Sequence, residues 1–164
     1  MKFKPVPPAP DEFAHVERVQ RAVPLVPGTE DDCCARLVDR LGISRDAART
    51  WLTFLRALEL AEETQSGYRR TDADPTAAGC REAFLTRVFA ADAVRETLAE
   101  AGPLTAEETF ERVRGRVPTW ERHRNTEWAD AWHERVARLL DWLVLLDAAE
   151  RVAEGDEPPR YRPT

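Results

Sequence analysis

The hydrophobic positions in the first part of the chain fall three and four residues apart, the spacing of helices with one face against a core. The pattern begins after Asp11 and is ended by Pro24. A second stretch follows Thr29, which can cap a helix, and Gly42 is placed to end it in the left-handed conformation. Ser44 can cap a third helix. Its core-facing positions are Ala48, Trp51, Leu52, Leu55 and Leu58. Three helices are therefore predicted before residue 61.

Two short extended runs flank Ser66-Gly67 and predict a β-hairpin over residues 61–71. The pattern then begins again. TEDDCCARLVDR (29–40) matches TAEETFERVRGR (105–116) at an offset of 76, FLRALELAEET (54–64) matches WLVLLDAAERV (142–152) at 88, and YRRT (68–71) matches YRPT (161–164) at 93. The growth of the offset by 12 predicts an insertion near 117–128. The chain is therefore predicted to contain two copies of one unit.

The run GISRDAARTWLTFLRALELAEETQSGYRRT (42–71) resembles the second half of a winged helix-turn-helix domain of archaeal and bacterial transcription regulators. Both share a glycine, an aliphatic residue and a serine at the tight turn, and a Gly-Tyr-Arg-x-Thr strand after the wing. The resemblance implies a mainly α (α+β) fold of two tandem winged-helix modules, each with three helices and a β-hairpin wing. The predicted divisions are a disordered proline-rich arm (1–10), module 1 (11–71), a linker (72–79) and module 2 (80–164).

In helix-turn-helix domains the third helix lies in the DNA major groove. The resemblance therefore implies a non-enzymatic protein that binds double-stranded DNA, as a transcription regulator. The predicted contacts, which we call the helix-wing face, are Ser44, Arg45, Arg49, Thr53 and Arg56 on the third helix and Arg69 and Arg70 on the wing. The arginines could instead form a solvated surface, with Glu62 and Glu63 opposite the wing arginines.

The second copy lacks this positive face. At an offset of 88 its corresponding residues are His133, Ala137, Asp141 and Val144. Its third helix is rich in Trp and Leu, which predicts burial against another surface. The winged-helix fold also serves in protein binding. The alternative function is therefore a protein-protein interaction adaptor in a transcription, replication or chromosome-segregation complex, with module 2 contacting a protein partner or forming a homodimer.

Positive charge returns in the insertion, around Trp120. These residues, which we call the insertion patch, are Arg114, Arg116, Arg122, His123 and Arg124. Basic residues interleaved with an aromatic side chain are typical of nucleic-acid contacts. A loop whose arginines pair with Glu121 and Glu127 is the alternative.

Composition limits the function further. The formal net charge is −6 and lysine occurs only at positions 2 and 4, a balance typical of halophilic proteins or of a GC-rich genome. Any nucleic-acid contact must therefore come from a local patch. Cys34 corresponds to Phe110 in the other copy, which predicts a core position. The histidines and cysteines lack metal-site spacing, no glycine-rich phosphate loop occurs, and no apolar run is long enough for a membrane span. We therefore expect a cytoplasmic protein without cofactor, metal or catalytic residues.

Overall fold

The structure, a computed structural model, describes residues 4–164 and consists of two compact units, Met1–Arg87 and Val88–Thr164. The first unit contains α1 (Phe13–Ala22), α2 (Glu30–Leu41), α3 (Arg45–Ala57), β1 (Ala61–Thr64), β2 (Gly67–Arg70) and α4 (Ala77–Arg87). The second contains α5 (Ala91–Ala101), β3 (Leu104–Thr105), α6 (Ala106–Val113), a short 3-10 helix (Arg114–Arg116), α7 (Thr119–Arg124), α8 (Trp128–Leu145), β4 (Ala149–Val152) and β5 (Arg160–Pro163). The first unit ends with a helix, α4, that follows its β-hairpin wing, and the second unit ends with its wing.

The helix boundaries of the first unit follow its capping residues. The Thr29 hydroxyl accepts a hydrogen bond from the Asp32 backbone N–H at 3.1 Å and begins α2. Gly42 ends that helix at φ 65°, and its N–H donates to the Val38 carbonyl. The Ser44 hydroxyl accepts from the Ala47 N–H at 3.1 Å and begins α3. The predicted caps of both helices are confirmed.

The first wing is an antiparallel hairpin with a two-residue loop. Ala61 lies opposite Arg70 and Thr64 opposite Gly67. Gly28, just before α2, adds one further bridge: its N–H donates to the Tyr68 carbonyl at 3.0 Å, and the Tyr68 N–H donates to the Gly28 carbonyl at 2.7 Å. The wing is thereby fixed to the start of α2.

The second unit repeats this backbone arrangement. Leu104 lies opposite Tyr161, the positions that correspond to Gly28 and Tyr68 at offsets of 76 and 93. The residue that precedes each wing has a positive φ, 64° at Glu59 and 60° at its counterpart Asp147. The predicted repeat therefore extends to hydrogen bonds and backbone dihedrals.

The same hydrogen bond closes both wings. The Thr71 hydroxyl donates to the Glu59 carbonyl at 2.9 Å, and the Thr164 hydroxyl donates to the Asp147 carbonyl at 3.1 Å. The last residue of the chain thus holds the position of Thr71 in the first unit.

Each unit has a buried apolar core built on its third helix. On α3 the fully buried residues include Leu52, Phe54 and Leu55. On α8 they are Val136, Leu139, Leu140, Trp142 and Leu143. Burial of a side chain of this size stabilises a fold by about 1.5–3 kcal/mol. Because these apolar residues lie on the core side of each helix, the opposite side can carry polar side chains.

The first unit extends beyond its predicted end. Residues 72–79 were expected to be a linker, but the Thr76 hydroxyl accepts from the Gly79 N–H at 3.0 Å, and α4 begins at Ala77. Phe84 on α4 is fully buried, and its ring lies 6.2 Å from that of Phe54. The compact unit therefore ends at Arg87, because an apolar anchor outweighs the loop-like composition.

The proline-rich arm also differs from its prediction. Residues 4–10 form no regular secondary structure, yet Val6 and Pro7 are buried. A proline has no N–H that needs a partner, so burying part of this extended segment leaves few backbone donors to be satisfied. Residues 1–3 of the predicted arm lie outside the described residues.

Candidate nucleic-acid interface

The helix-wing face is built on the side of α3 that points away from the core. Trp51, Leu52 and Leu55 are buried, and the side chains of Arg45 and Arg49 are 51% and 55% exposed. Thr53 and Arg56 are half-buried farther along the helix. Ser44 is exposed and its hydroxyl oxygen is used as the helix cap. The structure thus brings the predicted α3 residues together along one side of the helix.

The α3 arginines are paired with carboxylates of the same unit. Arg45 Nη2 lies 2.6 Å from Asp31 Oδ1 at the start of α2. Arg49 Nε lies 3.3 Å from Glu30 Oε1, and its Nη1 lies 3.9 Å from Asp46 Oδ1. These acids occupy the first turns of α2 and α3, where the helix dipole favours negative charge.

The wing continues this pattern. Arg56 Nη2 lies 3.1 Å from Glu63 Oε2, and its guanidinium lies over the Tyr68 ring at 5.4 Å. Arg69 Nε donates to Glu62 Oε1 at 2.6 Å across the hairpin. The cross-strand pairing considered from the sequence is therefore present for Arg69.

Arg70 is different from the other arginines of the face. Its backbone N–H donates to the Pro24 carbonyl at 2.9 Å, and its Nε is buried without a hydrogen-bond partner among residues 4–164. The Arg70 guanidinium is therefore partly buried in the first unit.

The helix-wing face is close to electrically neutral. Four of its five arginines, all except Arg70, pair with five carboxylates, which are Glu30, Asp31, Asp46, Glu62 and Glu63. Exposed ion pairs of this kind contribute about 0–1 kcal/mol each. They balance the charge of the face but hold each arginine only weakly.

The corresponding face of the second unit has lost its positive charge. The Asp141 carboxylate accepts from the Tyr161 hydroxyl at 2.8 Å and pairs with Arg151 at 2.6 Å. The His133 ring lies against Phe110, with 5.7 Å between ring centroids. Among residues 4–164 the exposed large hydrophobic side chains are Leu25, Val26, Phe89 and Trp120. None of these lies on α8, where Trp128, Val144 and Leu145 are half-buried.

The insertion patch lies between α6 and α8. Arg114 pairs with Glu111 at 3.1 Å and lies over the Trp128 ring at 5.4 Å. Arg122 lies over the same ring at 4.8 Å and donates to the Arg114 carbonyl. The remaining members, Arg116, His123 and Arg124, are exposed.

The cysteines are packing residues. Cys33, Cys34 and Cys80 are buried and unbridged. Burial raises the pKa of all three thiols, that of Cys80 to about 11, which keeps them protonated and unreactive. Residues 4–164 contain no cluster of three or more His, Cys, Asp or Glu side chains suited to a metal ion. Within the same residues, every helix is too short or too polar to cross a membrane.

Each unit contains the order of a winged helix. Three helices, α1 to α3 in the first unit and α5, α6 and α8 in the second, are followed by a β-hairpin that pairs back to the segment before the second helix, through a single bridge at Gly28 and through β3 respectively. The protein is thus a tandem winged-helix protein. It belongs to the family of the halobacterial double winged helix domain, whose model matches residues 1–162. The acidic, lysine-poor composition agrees with that halobacterial description. No curated protein and no solved structure is detectably similar to the chain.

Proposed function

We propose that the protein is a cytoplasmic, non-enzymatic transcription regulator that binds double-stranded DNA through the helix-wing face of its first unit. The observation that carries the proposal is the common outward side of Arg45, Arg49 and Arg56 on α3, next to the hairpin that carries Arg69. In the winged-helix fold this side of the third helix meets the major groove, and the wing meets the flanking backbone.

Binding requires the arginines to exchange carboxylate partners for phosphates or guanine. The exchange costs little, because exposed ion pairs are weak and arginine forms bidentate hydrogen bonds with either group. Glu30 and Asp31 then remain close to DNA without their partners, and their repulsion of phosphate opposes binding. Ser44 serves by fixing the position at which α3 begins.

Two variants with opposite charge changes test the proposal. In Arg45→Ala/Arg49→Ala, we expect weaker duplex binding and a salt dependence whose slope is smaller by about 1.8, since two phosphate contacts are lost. In Glu30→Gln/Asp31→Asn, we expect tighter binding because the repulsion is removed. Arg21→Ala/Arg40→Ala and Glu12→Gln/Asp39→Asn are the matched controls, since they remove the same charges from exposed positions of the first unit.

The measurement is fluorescence anisotropy with a labelled duplex across a salt series. The series must extend to molar salt for a protein of this family, where the Debye length is only about 3 Å. If neither double variant differs from its control, the helix-wing face does not bind duplex DNA.

The second candidate function is the interaction adaptor, and the neutral charge of the helix-wing face favours it. A face with five arginines and five carboxylates lacks the positive field that attracts DNA, and it suits a protein surface with both signs of charge. If this candidate is correct, the protein binds duplex DNA no more tightly than the nonspecific level, and Glu30→Gln/Asp31→Asn does not change its duplex affinity.

A further inference from the structure

The segment between α6 and α8 contains the insertion near 117–128, which has no counterpart in the first unit, and it forms a folded surface of its own. Arg114 and Arg122 lie on the same Trp128 ring. Arg122 also donates a hydrogen bond to the Arg114 carbonyl. Val117, in the link between the 3-10 helix and α7, is buried. These contacts hold the 3-10 helix and α7 together against the start of α8.

The positive charge of this surface is not compensated as it is on the helix-wing face. Among the described residues, Arg116 and Arg124 have no carboxylate within ion-pair distance, and only Arg114 of the patch is paired, with Glu111. Arg122 Nε is buried without a hydrogen-bond partner in residues 4–164. Two guanidinium groups on one aromatic ring repel each other, so a bound anion would stabilise the arrangement.

Trp120 gives the patch an aromatic surface. It lies on α7 and is 38% exposed, which is unusual for so large an apolar side chain. His123 and Arg124 follow it three and four residues later in the same helix, so the three side chains share one side of α7. A base can stack on the indole while the neighbouring arginine contacts its phosphate.

We infer that the insertion patch is a binding site for single-stranded nucleic acid, in which Trp120 stacks on an unpaired base and Arg116 and Arg124 contact the phosphates. An aromatic side chain can stack only on a base that is already unstacked from its neighbour, which a duplex does not offer without distortion. With six residues, α7 is also much shorter than α3 as an element for the major groove. The site is in the second unit and does not depend on the proposed duplex site.

The test uses the full chain and a labelled oligothymidylate of about 15 nucleotides, within the size range of single-strand sites. In Arg116→Ala/Arg124→Ala, the salt slope of binding should fall by about 1.4, because two contacts to a single strand are lost. Arg21→Ala/Arg40→Ala is the matched control, since it removes the same charge from two exposed positions of the first unit. It should leave oligothymidylate binding unchanged.

The stacking contact is tested separately. Trp120→Ala should weaken oligothymidylate binding about tenfold, and Trp120→Phe should retain most of the affinity. Both should leave binding of a random duplex unchanged. Circular dichroism of every variant, at each salt concentration used, checks that the fold is intact.

Three results would overturn the inference. The first is wild-type protein that does not bind the oligothymidylate at any salt concentration. The second is a patch variant that binds as well as its matched control. The third is an equal loss for single strand and duplex, which would make the patch a general backbone site. Arg45→Ala/Arg49→Ala, tested in parallel, should affect the duplex alone, so failure of either site is seen independently of the other.

Discussion

At Gly67 the first wing lies close to the backbone of Gly28, and replacing this residue by alanine should release the wing from the start of α2. Gly67 has φ 125°, a conformation that L-residues rarely adopt. A Cβ atom at this position would lie 2.2 Å from the Gly28 carbonyl oxygen and 2.7 Å from its carbon. Both are backbone atoms, so no side-chain rotation can relieve the clash.

The cost has two sources. Positive φ costs an L-residue about 1–2 kcal/mol. Moving Gly28 away from Tyr68 breaks two backbone hydrogen bonds, of 3.0 and 2.7 Å, at about 0.5–1.5 kcal/mol each. Gly67→Ala should therefore reduce the free energy of unfolding of the first unit by about 2–5 kcal/mol.

Gly42→Ala is the control within the same unit. Gly42 also has a positive φ, 65°, but nothing lies within 4 Å of its added Cβ. Only the backbone cost remains, so its effect should be about 1–2 kcal/mol.

The cysteines provide an assay that reports on the first unit alone. The chain has three cysteines, and Cys33, Cys34 and Cys80 are all buried in the first unit. Reaction of these thiols in a urea titration therefore measures opening of that unit, and far-UV circular dichroism follows the whole chain. If Gly67→Ala shifts the thiol midpoint no more than Gly42→Ala does, contact with Gly28 does not hold the wing.

Two further predictions concern the second unit. Thr105→Ala should lower the free energy of unfolding, measured by chemical denaturation, by about 1 kcal/mol. The reason is that the hydroxyl that accepts a hydrogen bond from the Glu108 N–H at 3.1 Å is lost from the start of α6. The pKa of Glu108 is lowered, first by the hydrogen bond from the Thr105 N–H and then by Arg160. Its contribution to stability is therefore complete above the unfolded pKa, about 4.3, and is lost as the pH falls through the lower folded value. Glu108→Gln should flatten the loss of stability in acid, and an unchanged pH profile would contradict this assignment.

Local signals in the sequence were sufficient to predict the backbone of each unit. Thr29, Gly42 and Ser44 act through backbone hydrogen bonds a few residues away, so their effect does not depend on the rest of the fold. The long-range pairing was not predicted, but it follows the internal repeat, since Leu104 and Tyr161 meet at the positions that correspond to Gly28 and Tyr68.

The errors arose where composition and tertiary contact disagree. Residues 72–79 are rich in turn-forming residues, but burial of Phe84 draws the following helix into the first unit. The arm is proline-rich, but Val6 is buried. The Thr76 cap is a local signal for the start of α4, but neither burial contact has a period by which it could be recognised in the sequence.

The sequence was sufficient to predict which arginines lie together at the candidate sites, but not which carboxylates pair with them. Helical spacing predicts that Arg45, Arg49 and Arg56 share one side of α3. It does not show that Glu30 and Asp31 lie within reach, because those acids are on another helix. The same limit applies to the insertion patch, where Arg114 and Arg122 are eight residues apart and meet only on Trp128.

The two units share a backbone arrangement but differ in which element of the wing region carries the acid and which carries the arginine. In the first, a helix arginine pairs with a strand acid, Arg56 with Glu63, next to Tyr68. In the second, the strand position of Glu63 is taken by Arg151, which pairs with a helix acid one turn earlier, Asp141 at the position of Thr53, next to Tyr161.

This reversal is possible because the wings are held by backbone contacts and threonine hydroxyls, which leave the charge of the surface free to change. Reversal also matters for binding, since a carboxylate on the outward side of α8 repels the phosphates that an arginine on α3 attracts. The second unit can therefore contact nucleic acid only through charge carried elsewhere. Among the described residues, Arg124 in the insertion and Arg116 just before it have no ion-pair partner, and the first unit has no equivalent of that insertion.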